Sequence, residues 1–202
     1  MKAARLIVVE GPMGAGKTSL TRLLAAAMAI PAVFERPADN PFLGDFYQHQ
    51  QHVLATELYF LMQRRQTWDG LEGDRLYVAD HGPEKDRIFT PLTLEAETLR
   101  LFREIRAALS YNAPRVPLLI YLDRPVDVLL ERIRARQDPW EASMQRAYVL
   151  RVQGAYRQWL RRYPGQVLDL STVAGDFVAD SEHAKILTEM VKNKITELGE
   201  DW

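Results

Sequence analysis

The 202-residue chain is 47% hydrophobic, carries 26 Lys plus Arg against 27 Asp plus Glu, and contains no cysteine. That length and apolar content suit one compact domain with a real core. The near-zero charge balance excludes a global basic field for nucleic acid or anionic membrane, and the missing cysteines exclude disulfides, thiolate nucleophiles and cysteine-held metals. The amino terminus lacks a long apolar run and no segment approaches a membrane span. The expectation is a single domain over residues 1–202, cytoplasmic, with neither nucleic acid nor membrane as partner.

Leu6 to Val9 is a β-branched run that predicts a first strand. Gly11 to Thr18 fits G-x-x-x-x-G-K-[ST], and Leu20, Leu23, Leu24 and Ala27 then recur at helical spacing. Strand, glycine loop and helix in that order predict a phosphate cradle, in which a Cβ at Gly11 or Gly16 would obstruct backbone N–H groups curling around anionic oxygens. Lys17 would reach the β- and γ-phosphates of a nucleotide, Thr18 would offer its hydroxyl to Mg²⁺, and the helix would turn its positive dipole end to the anion.

Pro31 to Glu35 reads as a second strand ending at a carboxylate, before a stretch in which Pro37 and Pro41 forbid regular structure. From Asp45 to about Trp68 the spacing of Val53, Leu54, Leu58, Leu61 and Met62 predicts one helix, with Glu57 and Arg64 two turns apart on a shared face. Arg75 to Ala79 is a third strand, ending at Asp80, and His81 to Asp86 reads as a loop. Thr93 to Ser110 is the next helix, with Leu94, Leu101, Phe102, Ile105 and Leu109 on its buried side. Pro117 to Leu122 is the clearest buried strand, followed by a helix over about 125–136 that carries Arg132, Arg134 and Arg136. After the Gln137-Asp138-Pro139 break, Glu141 to Tyr163 reads as a long helix, Gln166 to Leu170 as a last strand and Glu182 to Glu197 as a closing helix. This alternation predicts an α/β fold with a parallel sheet covered on both faces.

Ligands of such a sheet collect at the carboxyl ends of its strands, where the glycine loop, Glu35 and Asp80 all fall. Phosphoryl transfer needs a metal to bridge phosphates, a group to orient or deprotonate the acceptor, and positive charge on the transferring group. Asp80 is a candidate for the metal or its water shell, and Glu35 for taking an acceptor proton; each acid read alone is equally a loop cap. The three arginines form either a solvated helical face or a lid that closes over phosphates. Tyr59, Phe60, Trp68 and the prolines after Glu35 read equally as core and as walls for a flat acceptor.

Five segments together resemble the deoxyribonucleoside kinase family of deoxyguanosine, deoxyadenosine and deoxycytidine kinases. They are E-G-P-M-G-A-G-K-T-S-L from Glu10, F-E-R-P-A-D-N-P-F-L-G-D-F-Y from Phe34, E-L-Y-F-L-M-Q-R from Glu57, D-H-G-P-E-K-D-R-I-F from Asp80 and L-L-E-R-I-R-A-R from Leu129. The match covers roughly Arg5 to Leu170. It implies a P-loop kinase fold with a five-stranded parallel sheet flanked by helices, an arginine-bearing helical lid over about 132–142, and a homodimer packed through helices. It also implies transfer of the ATP γ-phosphate to the 5′-hydroxyl of a deoxynucleoside; our reading is that purine deoxynucleosides are favoured over thymidine.

By the resemblance, Gly11, Met13, Gly14, Ala15, Gly16, Lys17, Thr18 and Ser19 hold ATP, and Thr18 and Asp80 serve Mg²⁺. Glu35 is the base, and Lys17, Asp80, Arg132 and Arg136 complete the catalytic set. Arg64 and Asp86 read the base edge, Glu141 holds the sugar 3′-hydroxyl, and Tyr47 belongs to the acceptor site. Three positions depart from the pattern. His81 and Gly82 stand where many members have Arg then Ser, so a cation must come from Lys85 or His81. Asp138 replaces a lid arginine, leaving Arg134 to compensate. Glu57 replaces a base-pairing glutamine, so that an ionised side chain would only accept hydrogen bonds or be held by Arg64. The rival readings are a thymidylate kinase-like nucleoside monophosphate kinase, against which the missing D-R-[YH] after the third strand weighs, and a P-loop ATPase or switch without a small acceptor.

Overall fold

The computed structural model describes residues 3–109, 113–141, 144–173 and 175–201. Ser110, the expected end of one helix, and Ala142, the expected end of the lid, lie outside the described residues. The described residues form five parallel strands in the order β2-β3-β1-β4-β5, with β1 (Arg5–Glu10) at the centre, β3 (Leu76–Ala79) and β4 (Arg115–Tyr121) beside it, and β2 (Ala32–Val33) and β5 (Val167–Asp169) at the edges.

Alternation along the strands sorts their side chains into two apolar layers. Ile7, Val9, Val78, Leu118 and Ile120 point to one face and pack with Leu20 and Leu24 of α1 (Lys17–Met28), Leu129 and Ile133 of α6 (Val126–Ala135), and Leu187, Val191 and Ile195 of α8 (Ser181–Glu197). Leu6, Val8, Tyr77, Ala79 and Leu119 point the other way, toward Trp68 of α3 (Val53–Asp69) and Trp159 of α7 (Arg146–Leu160). The α8 start is fixed by Asp180, whose carboxylate accepts from the N–H groups of Glu182 and His183.

Several elements differ from expectation. The second strand is only Ala32–Val33, so Glu35 lies two residues past it. The single helix expected from Asp45 to Trp68 is two, α2 (Leu43–His49) and α3, because Gln50 and His52 adopt left-handed conformations with φ of 55° and 54°. The loop expected to end at Asp86 gives way to α4 (Lys85–Thr93), which Pro83 and Pro91 disguise in the sequence. The following helix, α5 (Ala96–Ala108), leaves Leu101 exposed rather than buried. The long helix expected from Glu141 begins at Arg146.

Candidate active site

The glycine loop connects β1 to α1, and its glycines are demanded as much by the backbone behind the loop as by space in front of it. A Cβ at Gly11 would lie 2.0 Å from the Leu122 carbonyl oxygen and one at Gly14 would lie 2.6 Å from that of Leu129. Gly16 has φ of 101° and faces Phe177 and Arg132. Ala15 is fully buried in the core under the loop. Lys17 Nζ donates to the Pro12 carbonyl oxygen of its own loop at 3.0 Å. Burial, with Lys85 nearby, pushes the Lys17 ammonium down to about 8.

Asp80, at the end of β3, ties the loop to the second strand. Its Oδ2 accepts from Thr18 Oγ1 at 2.7 Å and its Oδ1 from the Glu35 backbone N–H at 2.8 Å. Burial opposes ionisation of Asp80, but hydrogen bonds from His81, the Glu35 N–H and Thr18 outweigh it and hold the carboxyl at about 2. Burial likewise opposes ionisation of Glu35, and the neighbouring Lys85, His81 and Arg64 side chains, with the hydrogen bond from Lys85, hold that carboxyl at about 2. Lys85 Nζ contacts Glu35 Oε2 directly, and Arg64 Nη1 lies 3.3 Å from Glu35 Oε1. Burial works against the Lys85 charge too, but the Glu35 and Glu10 carboxylates keep its ammonium above the usual range.

These groups open on one pocket of about 160 Å³. Met13, Lys17 and Thr18 line its loop end with Glu35 and Asp80; Leu43, Phe46 and Tyr47 of α2 and Glu57, Phe60 and Arg64 of α3 form one wall. Lys85 and Phe89 of α4, Tyr148 of α7, and Arg136, Trp140 and Glu141 beyond α6 complete it. A second cleft holds Gly14, Gly16 and Ser19 with Arg132, Arg136, Asp176 and Phe177. Arg136 thus lines both spaces, one beside the loop's outer face and one beside its inner end.

The expected residues divide by position. His81 lines neither cleft: it is buried, stacked on Trp68, with Nδ1 3.2 Å from Asp80 Oδ1. Arg134 is exposed and also lines neither. Asp86 lies under the pocket wall, 1% exposed, with Arg64 Nη2 3.2 Å from its Oδ1 and Arg106 in contact with its Oδ2. Glu57 is held by Thr93, whose Oγ1 donates to Oε1 at 2.7 Å, and not by Arg64. Glu141 sits 3.6 Å from Arg136, and its Oε2 is buried without a hydrogen-bond partner among the described residues. Phe60 and Pro37 do wall the pocket, whereas Tyr59 does not and Trp68 packs behind it.

Sequence reasoning missed Trp140, Phe89, Thr93 and Arg106. It also missed Glu10, which is 1% exposed at the end of β1 and accepts from the Gly82 N–H at 2.8 Å and from Tyr156 OH at 2.7 Å. A Cβ at residue 82 would meet Glu10 Oε1 at 3.2 Å and Val8 Cγ1 at 3.0 Å, so the glycine after His81 fits the buried acid behind it.

A phosphate loop and a carboxylate lining one pocket are the arrangement of a P-loop phosphotransferase with a small acceptor. The deoxynucleoside kinase family profile matches residues 7–197, and the chain belongs to that family. A deoxyguanosine kinase of Bacillus subtilis (strain 168) is 28% identical over 96% of this chain and 100% of its own length. A probable thymidylate kinase of Metallosphaera sedula is 30% identical over 81% of this chain and 83% of its own. Among solved structures, deoxyadenosine kinase from M. mycoides with the products dCMP and dCDP superposes with a TM-score of 0.78 at 18% identity, covering 96% of this chain and 99% of that one, a likeness that shows the fold. The protein is a deoxynucleoside kinase.

Proposed function

We propose that the enzyme transfers the γ-phosphoryl group of ATP to the 5′-hydroxyl of a deoxynucleoside, with purine deoxynucleosides favoured over thymidine. The carrying observation is the Asp80 carboxylate, one oxygen of which takes the Thr18 hydroxyl and the other the Glu35 backbone N–H. It ties the backbone of Glu35 to the phosphate loop, and the Glu35 side chain lines the same pocket as Lys17 and Thr18. Purine preference is supported by the B. subtilis relative, a deoxyguanosine kinase, and by the aromatic pocket walls.

In this reading Glu35, ionised at neutral pH, orients the 5′-hydroxyl and accepts its proton as the hydroxyl oxygen bonds to the γ-phosphorus and the bond to the bridging β,γ-oxygen breaks. Lys17, Lys85, Arg132 and Arg136 supply positive charge along that path. Glu141, with an unsatisfied buried oxygen, takes the sugar 3′-hydroxyl. Mg²⁺ uses one or two protein oxygens and completes its shell with phosphate and water, and Thr18 Oγ1 and Asp80 Oδ2, 2.7 Å apart, fit that demand. Held there, the ion would supply neutralisation of phosphate charge.

Residues 1–202 act as one domain with a lid over about 132–142, working in the cytoplasm as a homodimer; no helix among the described residues is long and apolar enough to cross a membrane. A coupled assay of ADP release with the four deoxynucleosides and, separately, their monophosphates tests the reading. ADP release chiefly with nucleosides is the expected result. Release chiefly with monophosphates, or equal release without acceptor, overturns it.

A further inference from the structure

Among the pocket's acids, Glu57 stands apart from the phosphate loop. Arg64 touches Glu35, and Glu57 lies seven residues earlier on the same face of α3, its backbone roughly 10 Å along the helix from that of Arg64. Glu35 and Glu57 line the same pocket, so a nucleoside with its 5′-hydroxyl at Glu35 has its base in the space that Glu57 borders. Glu57 is 5% exposed and lines the pocket beside Phe60 and Tyr148.

Its surroundings tolerate either protonation state. Thr93 Oγ1 donates to Glu57 Oε1 at 2.7 Å, yet the same hydroxyl is 3.3 Å from the Phe89 carbonyl oxygen, to which it can turn its hydrogen while accepting one from a protonated Glu57. The charged and titratable groups facing Glu57 are Arg64 on its own helix, Asp86 on α4, Glu35 past β2, Tyr47 on α2 and Tyr148 on α7. Burial pushes the Glu57 carboxyl above the usual range, against the Thr93 hydrogen bond and the Arg64 charge, so its acid form persists to higher pH than that of an exposed glutamate.

We propose that Glu57 selects the base by the hydrogens on its edge: as a carboxylate it accepts two, from guanine N1–H and N2–H, and as a carboxylic acid it donates one to adenine N1 and accepts one from adenine N6–H. The inference rests on the kinase reading above and names the base that reading leaves open. Adenine offers its N1 lone pair where guanine offers a hydrogen, so an ionised Glu57 repels it and leaves a buried acceptor unpaired. The preference for deoxyguanosine over deoxyadenosine therefore grows with pH. Lys17 and Glu35 act on the same transfer for both substrates, so their titrations cancel in the ratio of the two rates.

The test is competition between deoxyguanosine and deoxyadenosine in one assay with the full chain, the ratio of the two monophosphate products being read across about pH 6 to 8.5. For the wild type the ratio should rise with pH, by up to about tenfold per unit while the acid form dominates. Glu57→Gln, which donates and accepts at every pH, should give a flat ratio shifted toward deoxyadenosine. Thr93→Val, which removes the hydrogen bond to the carboxylate, should move the rise to higher pH. A wild-type ratio independent of pH, or a Glu57→Gln ratio that keeps the wild-type slope, overturns the inference while leaving the kinase reading intact. Phosphorylation of neither nucleoside overturns the kinase reading itself.

Discussion

Trp68 lies nearly flat on His81, with ring centroids 4.9 Å apart and planes inclined by 26°. The stack and the contact with Asp80 clamp the imidazole outside the pocket, whereas Lys85 lines it in contact with Glu35, which supports the proposal that Lys85 is the cation acting on the acceptor. Lys85→Ala is expected to lower kcat/KM roughly 10²- to 10³-fold, and Lys85→Arg to recover a good part of it. Steady-state kinetics with saturating nucleotide checks this; an alanine variant within twofold of wild type would remove Lys85 from the mechanism.

Glu35→Gln keeps the shape of the acceptor end and removes the carboxylate proposed as its base. Turnover should fall roughly 10²- to 10⁴-fold while the affinity for ATP, measured by equilibrium titration, stays within a few-fold of wild type. Loss of nucleotide binding in parallel with turnover would mean that Glu35 holds the site together instead.

The Lys17 ammonium, pushed by burial down to about 8, loses its proton well below the range of an exposed lysine. The charged form binds phosphate, so kcat/KM for the nucleotide should fall as pH rises through about 8. The limb in kcat should lie higher, because bound phosphates stabilise the ammonium. A pH profile of both parameters measures the separation.

Arg106 reaches from α5 to the fully buried Asp86, which Arg64 approaches from the other side. Arg106→Ala leaves Asp86 with one cation in place of two and should destabilise the fold by about 3 kcal/mol. Denaturant unfolding measures that cost. An increased KM for the deoxynucleoside should accompany it, since Asp86, which holds Arg64, loses its second tie.

The parts of the site that the sequence made legible are those whose chemistry is written in consecutive residues. Gly11 to Thr18, Glu35 and Asp80 follow strands that alternate or run apolar, so their convergence at one sheet edge follows from topology. Lys85 and His81 were both candidates for the missing arginine, and what sets His81 outside the pocket is Trp68, thirteen residues earlier and on another element. Arg106 carried no signal, because an arginine in the last turn of an amphipathic helix reads as solvated. Helix α4 was hidden by Pro83 and Pro91, and the gap between α2 and α3 by Gln50-Gln51-His52, which contains neither glycine nor proline.

That gap has a consequence for the breadth of substrates. Left-handed residues stand at both ends of the joint, and the His52 ring packs 5.7 Å from Phe42 at the start of α2. The joint sets the angle at which α2 leaves α3, and with it the placement of Leu43, Phe46 and Tyr47 on the pocket wall. Substitutions at Gln50 or His52 would retune the width available to a base without altering any atom that touches it, giving the enzyme a dial for acceptor size outside the acceptor site.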